Sequence, residues 1–227
     1  TVEGIDLQVH AGEVVGLAGL EGSGQGLFLR ACAGLERITA GRILLDGRDL
    51  TGAPYQRFLQ AGVAYMPASR LEEGLVRGMD LTEHFALAER SGPFFIDWVA
   101  AQQGASDHIA HFNIVGQPST VIEALSGGNQ QRVLLALLPG RLRLLLMEHP
   151  TRGLDVESAR WVWQQLLARR KDGTAIVFLS ADLDEILEHA DRVAVFFGGT
   201  MSNVQRVCDV TTEKLGYMIA GEVPIEA

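Results

Sequence analysis

The stretch VVGLAGLEGSGQGLFLRACAG, Val14–Gly34, decides the fold of this chain. Its first six residues form a continuous apolar run, which is typical of a strand buried on both faces. The apolar spacing of its last part predicts a helix that Gly34 ends. Between the two lies a tight loop built on Gly19, Gly22, Gly24 and Gly26. The stretch therefore predicts a buried strand, a glycine loop and a helix in direct succession.

The rest of the chain alternates strand-like and helix-like segments. VAYMP, RLRLLLM, GTAIVFLS and RVAVFF are short apolar runs, whereas DVESARWVWQQLLARR and DLDEILEHA have helical spacing. Such alternation predicts a mostly parallel sheet covered by helices, with a short antiparallel edge, which is the α/β class. GIDLQVH predicts a half-buried strand, and GRILLDGRDL predicts a strand with a DG turn. In the long helix we expect Trp161, Leu166 and Leu167 to face inward.

A helical region interrupts this alternation. LTEHFALAER and SDHIAHFNI both have helical patterns, and a stretch rich in Gly and Pro separates them. We predict a nucleotide-binding core of residues 1–77 and 131–227, and a helical subdomain of residues 78–130. The group Phe94–Trp98 in this insertion is predicted to contact another protein subunit.

Composition narrows the class of protein. With 47% hydrophobic and 21% charged residues, the 227-residue chain is globular rather than disordered. The formal net charge of −9 argues against a nucleic-acid-binding surface. Only two cysteines occur and no His/Cys cluster, so neither a disulfide framework nor a zinc site is predicted. The histidines at positions 84, 108, 111 and 189 are predicted in helical segments, with His108 and His111 on a helix surface. No segment is predicted to span a membrane.

The glycine loop has the form of a phosphate-binding loop with two replacements. In a strand–GxxxxGK[ST]–helix unit, backbone N–H groups surround the phosphates, Lys reaches the β- and γ-phosphates, and Ser/Thr holds Mg²⁺. Here Gln25 stands at the lysine position and Gly26 at the Ser/Thr position. The glycines that form the backbone cradle are present, whereas the lysine charge and the hydroxyl that would bind Mg²⁺ are absent. On this stretch alone, a tight turn that binds no ligand is an equal alternative.

The octet LSGGNQQR, Leu125–Arg132, is the strongest motif. Ser126 is predicted to cap a helix, and two glycines leave the first N–H groups of that helix uncovered. A hydroxyl, bare N–H groups and the positive end of a helix dipole favour an anion. The alternative is an ordinary capped helix after a flexible turn.

These motifs together resemble the ATP-binding domains of ABC transporters. LSGGNQQRV resembles their signature motif, and LRLLLMEHPTRGLD resembles the Walker B strand that leads into the D-loop. YMPASRLEEGLV resembles the Q-loop region, and LSADLDEILEHADRVAVFFGG resembles the switch region. The sequences GLAGLEGSGQ, LSGGNQQ and PTRGLDV resemble the corresponding segments in the second nucleotide-binding half of simple-sugar and nucleoside importers. In those proteins two ABC domains are fused, and a chain that starts at Thr1 without Met is expected to be such a fragment.

The resemblance implies a P-loop ABC fold, with ATP and Mg²⁺ as cofactors. Two such domains form a head-to-tail pair in which each ATP lies between the Walker motifs of one half and the signature of the other. The implied partners are therefore a second ABC domain fused upstream, transmembrane permease subunits and, indirectly, a solute-binding protein, at the cytoplasmic face of the membrane. Asp155 matches the D-loop aspartate. The implied nucleotide-binding residues are Gly19, Gly22, Ser23, Gly24, Gln25 and Gly26, and those offered to the partner's ATP are Ser126, Gly127, Gly128, Asn129 and Gln130.

The residues expected to catalyse hydrolysis depart from the family pattern. Glu148 and His149 stand where the Walker B strand ends in Asp-Glu, and Ala181 replaces the switch histidine. Ala68 and Ser69 stand where these importers tend to have Glu-Asp, and Arg70 and Glu73 nearby are candidates for a coupling role. Three hypotheses follow: a degenerate half that lends its signature to a partner, a competent ATPase with His149 as base, and a non-catalytic module on an ABC fold.

Overall fold

The computed structural model describes residues 2–89 and 95–222, and strands form its centre. Within the described residues the strands are β1 (Val14–Gly19), β2 (Leu44–Leu45), β3 (Arg48–Asp49), β4 (Val63–Met66), β5 (Leu144–Glu148), β6 (Ala175–Leu179), β7 (Arg192–Phe197), β8 (Thr200–Met201) and β9 (Gln205–Arg206). The main sheet has the order β4-β5-β6-β1-β7-β8. Its first five strands are parallel, and β8 and β9 pair antiparallel with β7. The predicted α/β class and antiparallel edge are confirmed.

Helices connect the strands. The α-helices of the described residues are α1 (Gln25–Cys32), α2 (Tyr55–Gln60), α3 (Leu81–Ala88), α4 (Trp98–His111), α5 (Gly127–Ala136), α6 (Val156–Lys171), α7 (Leu183–His189) and α8 (Thr212–Ile219). A π-helical turn covers Arg70–Gly74, and 3₁₀ turns cover Ile122–Ala124 and Val207–Asp209. Asp46 and Gly47, both with positive φ, join β2 to β3, so the predicted DG turn is confirmed.

The predicted end of the first helix is also confirmed. Gly34 follows α1 with φ of 74°, the left-handed conformation that glycine adopts without strain. A Cβ built on Gly34 would lie 2.3 Å from Cδ2 of Phe58, so a side chain would displace a core residue. Phe58 belongs to the buried cluster formed by Val15, Leu17, Leu29, Phe58, Leu146, Val177 and Phe196.

The chain divides into two compact units. The first consists of Thr1–Met66, Arg141–Pro150 and Trp163–Ala227, and it contains the main sheet. The second consists of Pro67–Gly140 and Thr151–Val162, and it contains α3, α4 and α5. The domain limits 1–77, 78–130 and 131–227 remain a prediction.

Several local expectations are corrected. In GIDLQVH, Ile5, Leu7 and Val9 are half-buried as the alternation predicts, but residues 2–10 form no strand. The buried residues of α6 are Val162, Trp163 and Leu166, whereas Trp161 and Leu167 are only half-buried. His84 lies in a helix, α3, as predicted. It is buried, its Nε2 accepts from the Val76 N–H at 3.0 Å, and its Nδ1 lies 2.7 Å from the Asp80 carbonyl oxygen.

Candidate functional site

Three segments with candidate residues meet at one edge of the main sheet. Strands β1, β5 and β6 are parallel and in register, so their carboxyl ends share that edge. The glycine loop follows β1, Glu148 ends β5 and precedes His149, and Ala181 comes two residues after β6. The carboxyl edge of a parallel sheet is where ligands of α/β proteins bind. The structure thus brings the loop and the residues at the Walker B and switch positions together.

The loop keeps a backbone conformation that needs glycine. Gly22 and Gly24 have φ of 84° and 112°, and nothing lies within 4 Å of a Cβ built on Gly22. The rear of the loop is fixed, since the Ser23 carbonyl accepts from the Gly199 N–H at 3.1 Å. A Cβ on Gly24 would lie 2.5 Å from Cγ2 of Val2. The N–H groups at the start of α1 therefore stand at a turn with open space beside Gly22, which suits an anion.

Gln25 turns its side chain back onto this loop. The residue is buried, and its Nε2 donates to the Leu20 carbonyl at 2.8 Å. Among the residues that the structure describes, Gln25 Oε1 is the buried side-chain oxygen without a hydrogen-bond partner. A buried acceptor without a donor costs about 1–3 kcal/mol. The lysine position thus holds a neutral amide, and one of its two N–H donors is used by the Leu20 carbonyl.

Gly26, which stands at the Ser/Thr position, lies beside the carboxylate of Glu148. A Cβ built on Gly26 would lie 3.2 Å from Glu148 Oε1, closer than side chains ordinarily pack. The same oxygen accepts from the Tyr65 hydroxyl at 2.7 Å. Burial and this carboxylate raise the pKa of Tyr65, so the phenol stays a donor. The glycine and the long acidic side chain fit each other, and a side chain at residue 26 would require the Glu148 carboxylate to shift by a few tenths of an ångström.

Tyr65 is a member of this group that the sequence did not reveal. It is 83 residues from Glu148 along the chain, and the two meet because β4 pairs with β5. The signal available in the sequence was a tyrosine inside an apolar strand-like run, VAYMP, where a buried hydroxyl needs a partner.

His149 and Ala181 occupy fixed positions at the same edge. His149 has φ of 46°, and its N–H donates to the Leu179 carbonyl at 2.8 Å. A left-handed conformation costs a residue with a side chain about 1 kcal/mol. The exposed Ala181 follows Ser180, whose buried hydroxyl donates to the Glu185 carboxylate, and that carboxylate also accepts from Trp163 Nε1 at 2.9 Å. The switch segment is well anchored but presents no side-chain donor at residue 181.

The residues at this edge do not fit the Mg²⁺ that the family resemblance implies. Gly26 has no hydroxyl to coordinate a cation, and one oxygen of the Glu148 carboxylate, Oε1, accepts from the Tyr65 hydroxyl. No group of three or more His, Cys, Asp or Glu residues within the described ranges is placed to hold a metal ion. We therefore derive no chemical step through a metal at this chain's own loop.

The signature residues lie in the second unit and form a complete helix start. Ser126 caps α5, and its Oγ accepts from the Asn129 N–H at 3.4 Å and from Asn129 Nδ2 at 2.9 Å. Asn129 Oδ1 accepts from the Val115 N–H at 2.8 Å. The buried Gln130 donates from Nε2 to the Ile122 and Leu125 carbonyls at 3.3 and 3.2 Å. The predicted cap is confirmed, and Gly127 and Gly128 begin the helix without side chains.

Asp155 caps the next helix, α6, in the same unit. Its carboxylate accepts from the Ser158 N–H at 2.9 Å and from the Ser158 hydroxyl at 2.8 Å. These hydrogen bonds hold the pKa of Asp155 below its ordinary value, so it is ionised at neutral pH. A Cβ built on Gly128 would lie 2.8 Å from Ser158 Oγ. The starts of α5 and α6 are thus in close contact, and the contact requires glycine.

Apolar side chains in the second unit stand in solvent. Phe95, Trp98 and Val99 are 79%, 53% and 81% exposed. Phe94, which belongs to the same predicted contact group, lies outside the described residues. No helix in the part of the chain that the structure describes is long and apolar enough to cross a bilayer.

Comparisons with known proteins agree with this geometry. A family model described as "ABC transporter" matches residues 2–152. The chain is 33% identical to the nucleoside import ATP-binding protein NupA of Lactococcus lactis, over 97% of the chain and 45% of that protein. It is 34% identical to the ribose import ATP-binding protein RbsA of Chromobacterium violaceum, over 94% of the chain and 44% of that protein. The chain spans less than half the length of these relatives.

Solved structures show the same fold. An ATP-binding subunit of an ABC transporter superposes with a TM-score of 0.77 at 21% identity, covering 96% of this chain and 92% of the other. A dimeric ATP-binding cassette in a post-hydrolysis state, bound to ADP and Pi, superposes with a TM-score of 0.77 at 18% identity, covering 91% and 90%. At these identities the likeness concerns the fold alone.

Proposed function

The chain belongs to the ABC transporter family, and on that premise we propose that it is a degenerate ATP-binding half of an importer, which lends its signature helix to a partner half's ATP. The observation that carries the proposal is a contrast within one chain. The start of α5 is capped by Ser126 and begins with two glycines, whereas a Cβ at Gly26, where a hydroxyl would be needed, would lie 3.2 Å from Glu148 Oε1.

The proposed contribution to the partner's site is positional and electrostatic. Ser126 and the N–H groups of Gly127 and Gly128 point a hydroxyl and a partial positive charge toward the γ-phosphate held by the partner. Stabilisation of charge by fixed donors of this kind is the main catalytic device in phosphoryl transfer. Asp155, ionised and tied to Ser158, is the group that communicates between the two sites.

At the chain's own loop we propose weak or absent hydrolysis. ATP, if held there, is held by backbone N–H groups and not by a lysine, because residue 25 is a glutamine, whose neutral Nε2 donates to the Leu20 carbonyl. Neutral hydrogen bonds are about half as strong as charge-assisted ones. Ala181 brings no donor to the γ-phosphate, and loss of one such donor costs roughly 10²–10³ in rate. His149 remains a candidate base, held in a strained backbone conformation.

The proposed partners follow from the relatives. Proteins named for nucleoside and ribose import match this chain over less than half of their length, which supports a second ABC half in the same polypeptide. We propose permease subunits at the cytoplasmic face of the membrane as further partners, with a solute-binding protein acting through them. The exposed Phe95, Trp98 and Val99 supply an apolar surface of the kind that contacts another protein.

The test compares ATP turnover by the isolated chain with turnover after an active ABC half is added. We expect background turnover by the chain alone, and stimulated turnover in the mixture that Ser126→Ala removes. Ser106→Ala serves as a control, since it removes a hydroxyl on α4 that donates only to the Gln102 carbonyl and touches neither the α5 cap nor Asp155. Ordinary turnover by the isolated chain, lost on His149→Ala, would contradict the proposal and support a competent ATPase.

A further inference from the structure

Arg70 lies where three segments of the second unit meet. Its Nη1 donates to the side-chain oxygen of Gln131 at 3.3 Å and to the Arg152 carbonyl at 3.2 Å. Gln131 is on α5, and Arg152 is in the turn that precedes Asp155. The guanidinium therefore bonds at once to the signature helix and to the segment that leads into the D-loop.

One glycine makes room for this guanidinium, and a second lies in ordinary van der Waals reach of it. A Cβ built on Gly127 would lie 3.3 Å from Arg70 Nη2, and one built on Gly153 would lie 3.8 Å from the same atom. Gly127 is the first residue of α5, and Gly153 has φ of 71°. A planar, fork-shaped donor fits between two backbone segments in a way that a flexible ammonium does not.

The segment that carries Arg70 follows α5 beyond this point. Arg70 begins the π-helical turn Arg70–Gly74, at whose end a Cβ on Gly74 would lie 2.8 Å from Cδ2 of Leu134. The turn thus runs beside α5 from Gly127 to Leu134.

We propose that Arg70 is a positioning residue that holds the start of the signature helix and the turn before Asp155 in register, so that both reach the partner's ATP together. The proposal rests on the proposed function for its effect on turnover. Its structural part, the clamp between the α5 start and the turn at residues 152–155, concerns this chain alone.

The first measurement is amide hydrogen exchange on the chain itself. In Arg70→Gln and Arg70→Lys we expect exchange in peptides covering residues 125–132 and 151–156 to rise several-fold, with exchange in β1 and β6 unchanged, because local opening no longer has to break the clamp. Arg77→Gln is the matched control, since Arg77 lies in the same region in an exposed ion pair with Glu72. Unchanged exchange at both peptides in the Arg70 variants would overturn the proposal.

The second measurement is ATP turnover by the full protein with its partner subunits. We expect Arg70→Gln and Arg70→Lys to lower kcat about tenfold or more while KM for ATP changes less than about twofold, since small misplacement of reacting groups affects kcat. Full activity in Arg70→Lys would overturn the positioning role, because charge alone would then suffice. Turnover that depends on Ser126 but is unaffected by Arg70→Gln would overturn only this inference, whereas turnover independent of Ser126 would contradict the proposed function itself.

Discussion

Restoring the two missing phosphate-loop side chains tests how Gly26 and Glu148 fit together. In the variant Gln25→Lys/Gly26→Thr, the new Cβ at residue 26 starts 3.2 Å from Glu148 Oε1, and the rest of the threonine needs further room. Adding Glu148→Asp withdraws the carboxylate by one C–C bond, about 1.5 Å. We therefore expect the triple variant, and not the double variant, to accommodate the hydroxyl.

Two opposing effects, overpacking and helix propensity, determine the change in unfolding free energy. Overpacking costs about 1–3 kcal/mol, and replacing a helical glycine by threonine returns about 0.5 kcal/mol through helix propensity. The double variant should thus lose about 1 kcal/mol of unfolding free energy, and the triple variant should recover most of it. A lysine that makes a charge-assisted bond to phosphate contributes about 1.5–3 kcal/mol, so the triple variant should bind ATP roughly 10- to 100-fold more tightly than the wild type.

Urea unfolding and calorimetric titration with ATP and ADP measure both effects. Glu148→Asp alone is the control, and it should change nucleotide affinity less than about twofold because it adds no donor. Hydrolysis should stay near background in every variant, since His149 and Ala181 are unchanged. A double variant as stable as the wild type and as tight a binder as the triple variant would refute the steric reasoning. Brisk turnover in the double variant would refute the account of a dismantled site.

Three further predictions concern contacts elsewhere in the structure. Tyr65→Phe removes the donor to Glu148 and should lower the unfolding free energy by about 1 kcal/mol in urea titrations; no change would show that water replaces the hydroxyl freely. Gly128→Ala brings a methyl within 2.8 Å of Ser158 Oγ and should increase hydrogen exchange at the start of α6, and a second change, Ser158→Ala, which deletes that oxygen, should remove part of the increase. Burial lowers the pKa of His189, although nearby carboxylates oppose this shift. The unfolded chain therefore binds the proton at a higher pH than the folded chain does, and the free energy of unfolding should fall as the pH drops below about 6.5. His189→Gln should reduce that fall between pH 7.5 and 5.5, and an equal fall in both proteins would contradict the assignment.

Local structure was predictable wherever a local cause determines it. The buried strand and glycine loop at Gly19–Gly26, the end of α1 at Gly34 and the cap at Ser126 each follow from residue chemistry within a few positions. The alternation of strands and helices gave the α/β class for the same reason. The functional roles of the loop and of the signature residues remain predictions.

The structural features that the sequence did not predict depend on packing between segments that are distant along the chain. Ile5, Leu7 and Val9 have the burial of a strand, but residues 2–10 have no ladder to join, so the strand assignment was wrong. The order β4-β5-β6-β1-β7 brings Tyr65 beside Glu148, and no local pattern reveals that pairing. The burial of His84, whose Nε2 accepts from the Val76 N–H, likewise depends on a contact outside its own helix.

The most direct test of the central claim is ATP turnover by the assembled pair of halves after the partner half's catalytic glutamate is inactivated. Only the loop of the present chain could then support hydrolysis. If that loop is a retained backbone cradle without a working catalytic set, turnover should fall to background, and His149→Ala should change nothing further. Residual turnover near half of the original rate, abolished by His149→Ala, would contradict the account.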